Sequence, residues 1–314
     1  MSIFRIDACK QPDLKELRLW LISRENLALT PRQPGLEGLV EDQCLLLARS
    51  TSNQSKASIP GKILGVAGLD LELASICLLA LDRSSDLPDL LTALERLAVS
   101  FGMLELRLDI SPGNARKLKL AAYPLSVESQ KIRQRQLKRR LTPPARKALQ
   151  LNQRLGVPGD YGCAHRLRLQ AEPSQLASIG LDVFNREQFM TPKAAKALHQ
   201  LIHAAAAEHI AIQPVSAFRS VDYQGVLLQN KLDKGQSMEE ILRVSAAPGF
   251  SEHHSGRAVD LTTPNFKPLE EEFADSAAFT WLSQRAGEFG FRMSYPKSNR
   301  HGVTYEPWHW YYFN

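Results

Sequence analysis

The segment Ser251-Glu252-His253-His254-Ser255-Gly256-Arg257-Ala258-Val259-Asp260 carries an imidazole and a carboxylate that could share one metal ion. It has the form S-x-H-x-x-G-x-A-x-D, with small residues, Gly256 and Ala258, where the chain must fold back between the two groups. About fifty residues on lies a second cluster, Glu306-Pro307-Trp308-His309. A catalytic zinc takes three protein ligands of nitrogen or oxygen type and keeps a fourth position open to water. His253, Asp260 and His309 supply that set. Glu306, three residues before a ligand, is then placed as the base that takes a proton from the activated water. His254 is adjacent to His253 and in an extended segment points to the opposite side, so it is not expected to coordinate.

The remaining histidines read differently. His199 and His203 stand at i, i+4 in a helical run, the spacing of the HExxH metalloproteases, but the position that must hold the base is Gln200. Gln cannot accept a proton from water, so the pair is expected on an ordinary helix face. His165 and His209 have no partners in sequence.

The two clusters together resemble the VanY-type D-alanyl-D-alanine carboxypeptidases, within a wider group of zinc peptidases that includes VanX-like dipeptidases. The resemblance covers about residues 165–314. Ser216-Ala217-Phe218-Arg219-Ser220, with Gln224 following, is similar to the family's S-G-Y-R-S-x-x-x-Q. Tyr295-Pro296 and then Glu306-Pro307-Trp308-His309 are similar to its closing Y-P…E-P-W-H. Phe218 replaces a Tyr, and Ser294 stands where an Arg often precedes Tyr-Pro. The resemblance implies a Zn²⁺ cofactor, a catalytic role for Arg219 in stabilising the oxyanion, and substrate contacts from Ser251, Gln224, Ser216 and Tyr295. It implies a small α+β domain with a short antiparallel sheet. Helices near Pro192–Glu208 and Ala277–Phe289 would pack on strands near Ile212–Ala217, Ala258–Leu261 and His309–Phe313.

The first part of the chain must be a separate body. Short apolar strands are expected at Ile3–Asp7, Cys44–Ala48, Ile63–Leu73, Ile76–Leu81 and Leu104–Ile110. Helices are expected at Asp13–Leu29, across Leu87–Phe101, and from Asn114 after Pro112-Gly113. A loose hairpin loop is expected between Ser50 and Gly61. The succession strand, long helix, strand, SPGNAR, helix resembles the core of the Gcn5-related N-acetyltransferase fold, an α/β arrangement. That family holds coenzyme A on a glycine-rich turn; here the equivalent stretch, Asp82 to Pro88, has no glycine and two carboxylates that would repel a phosphate. The expected organisation is a degenerate acetyltransferase-like domain at 1–128, a basic linker at 129–160 and the zinc carboxypeptidase domain at 161–314.

Composition narrows the partners. The chain of 314 residues has a net charge of +6, yet nine bases and no acid lie between Lys131 and Arg154, enough to account for the whole excess. No aromatic residues interleave there for base stacking, so a solvated linker helix, interrupted at Pro143-Pro144, is expected and no nucleic-acid partner. No stretch approaches the ~18 apolar residues of a membrane span. The N-terminal segment lacks the apolar core of a secretory signal, and the four cysteines form no CxxC pair. A cytoplasmic location with reduced thiols is the expectation.

In that compartment a D,D-carboxypeptidase would destroy the pentapeptide precursor of the wall. The expected role is therefore an L,D-carboxypeptidase taking D-alanine from murein tetrapeptides in cell-wall recycling, with a muropeptide ending in D-alanine as partner. The alternatives are a D,D-carboxypeptidase or D-Ala-D-Ala dipeptidase, or a non-catalytic module that binds a muropeptide or a partner.

Overall fold

The computed structural model describes residues 4–22, 36–50, 63–71, 75–81, 87–109, 126–127, 132–137 and 140–314. They divide into two compact units, Met1–Leu141 and Thr142–Asn314.

In the first unit, short apolar runs become strands whose consecutive residues are buried: Leu45 to Ala48 all lie in the core, as do Val66 and Ala67. The strands are β1 (Phe4–Ala8), β2 (Leu45–Ser50), β3 (Ile63–Asp70), β4 (Ser75–Leu81), β5 (Glu105–Asp109), β6 (Ser126–Val127) and β7 (Ile132–Gln136). Their order is β1-β2-β3-β4-β5-β7-β6, antiparallel throughout except for the parallel pair β4 and β5. Helices α1 (Leu14–Ile22), α2 (Leu36–Glu41) and α3 (Leu87–Ser100) belong to the same unit. Helix α3 buries Leu90, Leu91, Leu94, Leu97 and Ala98, and Gly102 follows it in the left-handed conformation. The loop from 51 to 61, the turn from Asp82 and the helix from Asn114 lie outside the described residues.

The basic segment is not a single linker helix. Its first part, Ile132–Gln136, is strand β7, paired with β5 and β6. Its second part is helix α4 (Pro143–Leu155), which opens the second unit. Pro143 and Pro144 begin that helix and do not interrupt it. In the first turn a missing N–H is no loss, and the Thr142 side chain accepts from the Ala145 N–H.

The second unit holds a four-stranded antiparallel sheet ordered β10-β11-β13-β12: Gln213–Ser216, Ala258–Thr262, His309–Tyr312 and Phe291–Met293. A separate hairpin pairs β8 (Ala177–Leu181) with β9 (Glu187–Met190). The helices are α4, α5 (Tyr161–Ala164), α6 (Pro192–Ala207), α7 (Val221–Asp233), α8 (Met238–Val244) and α9 (Ala277–Arg285). The α+β layout with a small antiparallel sheet agrees with the expectation. Helix α9 gives way to a 3₁₀ turn at Ala286–Phe289 before Gly290, so that expected helix is split.

One face of the sheet carries the core. Val259, Leu261, Phe291 and Trp310 pack with Leu198 and Leu201 of α6 and with Trp281 and Leu282 of α9. A second cluster joins Leu155, Tyr161, Leu167, Leu228, Ile241 and Phe250. Helix α4 fits tightly there: a Cβ on Gly225 would lie 2.7 Å from a Leu151 methyl, and one on Gly249 equally close to Ala148. His199 and His203 sit exposed on α6, as expected of helix-face histidines.

Candidate metal centre

Side chains alternate across a strand, so a sheet with one face in the core sends every second residue to the other face. Val259 pairs with Trp310 on the core side; the next pair along β11 and β13 is Asp260 with His309. Ser216 of β10 pairs with Asp260 from the other side. Three of the residues singled out in the sequence therefore form a row across neighbouring strands.

His253 reaches this row from a 3₁₀ turn, Glu252–Ser255, that the Ser251 hydroxyl caps by accepting from the His253 N–H. Gly256 ends the turn at φ +64, a left-handed conformation that favours glycine. A Cβ there would also press within 3.3 Å of Pro173, Leu176 and Thr191. The turn thus folds the chain back sharply enough for His253 and Asp260 to meet.

One donor atom from each of His253, Asp260 and His309 lies within 4.8 Å of the others, and all three residues are buried. Asp260 Oδ2 is 3.2 Å from His253 Nε2, and Asp260 Oδ1 is 3.0 Å from His309 Nδ1. The outward nitrogens are already engaged. His253 Nδ1 donates to the Ala217 carbonyl at 2.6 Å, which leaves Nε2 to face the cluster. His309 Nε2 donates to Glu252 Oε2 at 2.9 Å, which leaves Nδ1 to face it. Such outer partners are what orient metal-binding imidazoles.

The charges fit a cation at this point. Burial alone would raise Asp260, but His253 and His309 outweigh it and hold the carboxyl far below the usual carboxylate range. Burial pushes His253 down, so its ring is neutral. Burial also acts to lower His309, but hydrogen bonds to Asp260 and Glu252 raise it to about 10. Two buried carboxylates thus hold a proton on His309, and a divalent metal would take its place.

Glu306 enters from the turn before β13, with its N–H on the Tyr295 carbonyl and its own carbonyl accepting from the His309 N–H. Its Oε2 is 3.9 Å from His309 Nδ1, beside the three donor atoms and not among them. Burial pushes its carboxyl up to about 7. A carboxyl near neutrality exchanges protons readily, as a general base must.

Arg219 is held by two side chains. Nη1 donates to Gln224 Oε1 at 2.9 Å and Nη2 to Ser216 Oγ at 3.1 Å. The Gln224 amide in turn donates to the Ala246 carbonyl. Gln224 and Ser216 are therefore engaged in fixing the guanidinium, and Ser251 in capping the His253 turn. Tyr295 is buried with its ring 4.9 Å from that of His309. His165 Nδ1 bonds the His301 carbonyl, and His301 Nδ1 bonds the His165 carbonyl.

Two neighbours escaped the sequence reading. Glu252 occupies the unspecified position of the S-x-H motif, and nothing in its spacing marks it. His254, set aside as a ligand, is fully buried and donates from Nδ1 to the Arg219 carbonyl at 2.6 Å. The tandem histidines thus grip alternate carbonyls, Ala217 and Arg219, of one strand exit.

With this geometry in place, the chain can be set beside known proteins. The profile of the VanY family, D-alanyl-D-alanine carboxypeptidase, matches residues 187–314. Over 168 residues the chain is 32% identical to the putative carboxypeptidase YodJ of Bacillus subtilis (strain 168), which covers 51% of this chain and 57% of that protein. It is 30% identical over 156 residues to the bifunctional D-Ala-D-Ala dipeptidase and D-Ala-D-Ala carboxypeptidase VanXYC of Enterococcus gallinarum, over 47% of this chain and 78% of the relative. Among solved structures, the LdcB LD-carboxypeptidase is 32% identical over 45% of this chain and 69% of that one, with a TM-score of 0.41. The chain spans little more than half the length of YodJ.

The geometry separates His254 from the metal donors. His254→Ala should destabilise the fold by about 2–4 kcal/mol, for a lost buried ring and an unpaired Arg219 carbonyl. The same variant should keep the metal stoichiometry of the parent. Unfolding curves and elemental analysis check both; unchanged stability with lost metal would make His254 a ligand.

Proposed function

The chain belongs to the VanY family of D-alanyl-D-alanine carboxypeptidases, and from that premise we propose that it is a zinc-dependent carboxypeptidase releasing C-terminal D-alanine from peptidoglycan peptides. The observation that carries this reading is the convergence of His253 Nε2, Asp260 and His309 Nδ1 beside a buried Glu306. His253, Asp260 and His309 would hold the zinc. Zinc in a three-ligand site with one open position activates water as a nucleophile and polarises a carbonyl.

The protein's own groups do the rest. Glu306 accepts a proton at its carboxylate as water attacks the scissile carbonyl, and delivers it to the leaving amine of D-alanine. Arg219, locked by Ser216 and Gln224, presents fixed positive charge to the developing oxyanion, a contribution of a few kcal/mol for a preorganised donor. Ser251 holds the His253 turn, and Tyr295 walls the site behind His309.

For the substrate we take the tetrapeptide, cut between the D-centre of its diamino acid and the terminal D-alanine, in cytoplasmic recycling of the wall. The four cysteines form no CxxC pair, which supports a reducing compartment. Pentapeptide precursor is assembled there, and an enzyme that spares it while trimming recycled tetrapeptide is compatible with growth. No described helix is long and apolar enough to cross a membrane. For the first unit we take an acetyltransferase-like module that has lost acetyl transfer. The order β4, α3, β5, with β4 and β5 parallel, supports it.

Glu306→Gln separates metal binding from chemistry. Gln is nearly isosteric but accepts no proton, so zinc content should stay at one per chain while kcat for D-alanine release falls by ~10²–10⁴. Depleted zinc in this variant would place Glu306 among the ligands. Unchanged turnover would remove it as the base.

Substrate choice is tested by HPLC of defined muropeptides with purified protein. Tetrapeptide should be converted to tripeptide with release of D-alanine, and pentapeptide should persist. Loss of pentapeptide with tetrapeptide spared would overturn the L,D reading in favour of a D,D-carboxypeptidase.

A further inference from the structure

Glu252 is a carboxylate that the hydrolytic scheme leaves without a task, although it lies almost within the site. It is the first residue of the 3₁₀ turn whose second residue is His253. Its Oε2 accepts from His309 Nε2 at 2.9 Å and from Ser294 Oγ at 2.6 Å. Only 18% of the Glu252 side chain is exposed, and 3% of the His309 side chain. Because Nε2 and Nδ1 lie on different edges of the ring, a carboxylate bonded to Nε2 cannot also join the donors that gather at Nδ1. Glu252 is accordingly outside the group formed by His253, Asp260 and His309.

We propose that Glu252 is a positioning residue for the metal centre: it fixes the tautomer and the ring orientation of His309, with Ser294 fixing Glu252. An imidazole at the start of a strand can turn over about its Cβ–Cγ bond, which exchanges the edges that its nitrogens occupy. Asp260 alone does not prevent this, since either nitrogen can bond a carboxylate. A second carboxylate on the opposite edge does. It requires a proton on Nε2 and so leaves the Nδ1 lone pair for metal.

The arrangement also ties two distant parts of the chain together. The 252–253 dipeptide sends one side chain to Asp260 in the donor cluster and the other to the ring of His309. Any shift of the turn would therefore move His253 and His309 together. Ser294 completes the link from the end of β12, the residue after Met293, which pairs with Trp310. Its hydroxyl donates to the Glu252 carboxylate. The charges are consistent too: Glu252 and Asp260 together balance a divalent cation, with both imidazoles neutral in the loaded site.

The inference rests on His253, Asp260 and His309 being the metal ligands, and the test keeps the two apart. Zinc affinity is measured on metal-depleted protein by competition with a chromophoric chelator, for the parent, Glu252→Gln, Glu252→Ala and Ser294→Ala. Circular dichroism and unfolding curves establish that each variant folds. Loss of an outer-shell partner of a metal-bound histidine typically weakens metal binding 10–100-fold. We expect Glu252→Ala to fall in that range. Glu252→Gln should be intermediate, because its Oε1 still accepts the Nε2–H without the charge. Ser294→Ala should lose less than either. A merely structural role would lower stability without this ranking of affinities. Should Glu252→Ala not fold, the near-isosteric Glu252→Gln carries the test. Folded Glu252 variants binding zinc within twofold of the parent would overturn the positioning role. A parent that binds no zinc would overturn the metal centre itself.

Discussion

The buried carboxylate of Asp260, set between two imidazoles, is the constraint on which the second unit is organised. A lone carboxylate in an apolar interior is strongly disfavoured, and removing one member of a buried, hydrogen-bonded charge pair typically costs about 3–5 kcal/mol. Asp260 is nevertheless held ionised on the central pair of a small sheet, in contact with His253 and His309. The surrounding elements follow from that demand. Strand β13 must place His309 opposite Asp260, which puts Trp310 opposite Val259 in the core. The chain between His253 and Asp260 must reverse, which needs the left-handed Gly256 and the tight packing around it. Strand β10 must end beside Asp260, so that the Ala217 carbonyl meets His253 and Arg219 emerges next to the donors.

Rigidity is concentrated where chemistry needs it. Four polar side chains near the donors are committed elsewhere: His253 to Ala217, His309 to Glu252, Arg219 to Ser216 and Gln224, and His254 to the Arg219 carbonyl. Such prior commitment is what lets a hydrolytic site act without reorganising during the reaction. The layer behind it includes helix α4, against which Gly225 and Gly249 are packed too closely to carry a side chain without rearrangement. This helix precedes the segment matched by the VanY profile, so the domain that supports the site extends N-terminally of the recognisable family region.

The grouping of His253, Asp260 and His309 was legible in sequence because coordination demands particular residue types at positions fixed by sheet geometry. Asp260 and His309 meet from neighbouring strands, His253 joins them from its 3₁₀ turn, and Glu306 and Arg219 come from the segments flanking β13 and β10. The outer layer was not legible. Glu252 lies at a position that the motif leaves open, and only the pairing of β12 with β13 brings Ser294 to it. Which imidazole nitrogen faces the cluster is equally invisible in one dimension, since it depends on the acceptor on the far edge. Strand β7 was missed because Ile-Arg-Gln-Arg-Gln is polar and basic, and its place between β5 and β6 is a tertiary choice that overrides weak strand character. The hairpin β8–β9 also went unread, since its exposed Leu181, Phe184 and Phe189 blur any alternation.

The central claim is that one zinc ion is held by His253, Asp260 and His309, with Glu306 next to it and outside its coordination. Anomalous diffraction from crystals of the zinc-loaded protein, collected on both sides of the zinc edge, tests this directly. The account predicts a single peak per chain about 2.0–2.2 Å from His253 Nε2, an Asp260 oxygen and His309 Nδ1, with Glu306 beyond bonding distance. A peak coordinated by Glu306 or Glu252, or a zinc bound elsewhere in the chain with this cluster empty, would contradict it.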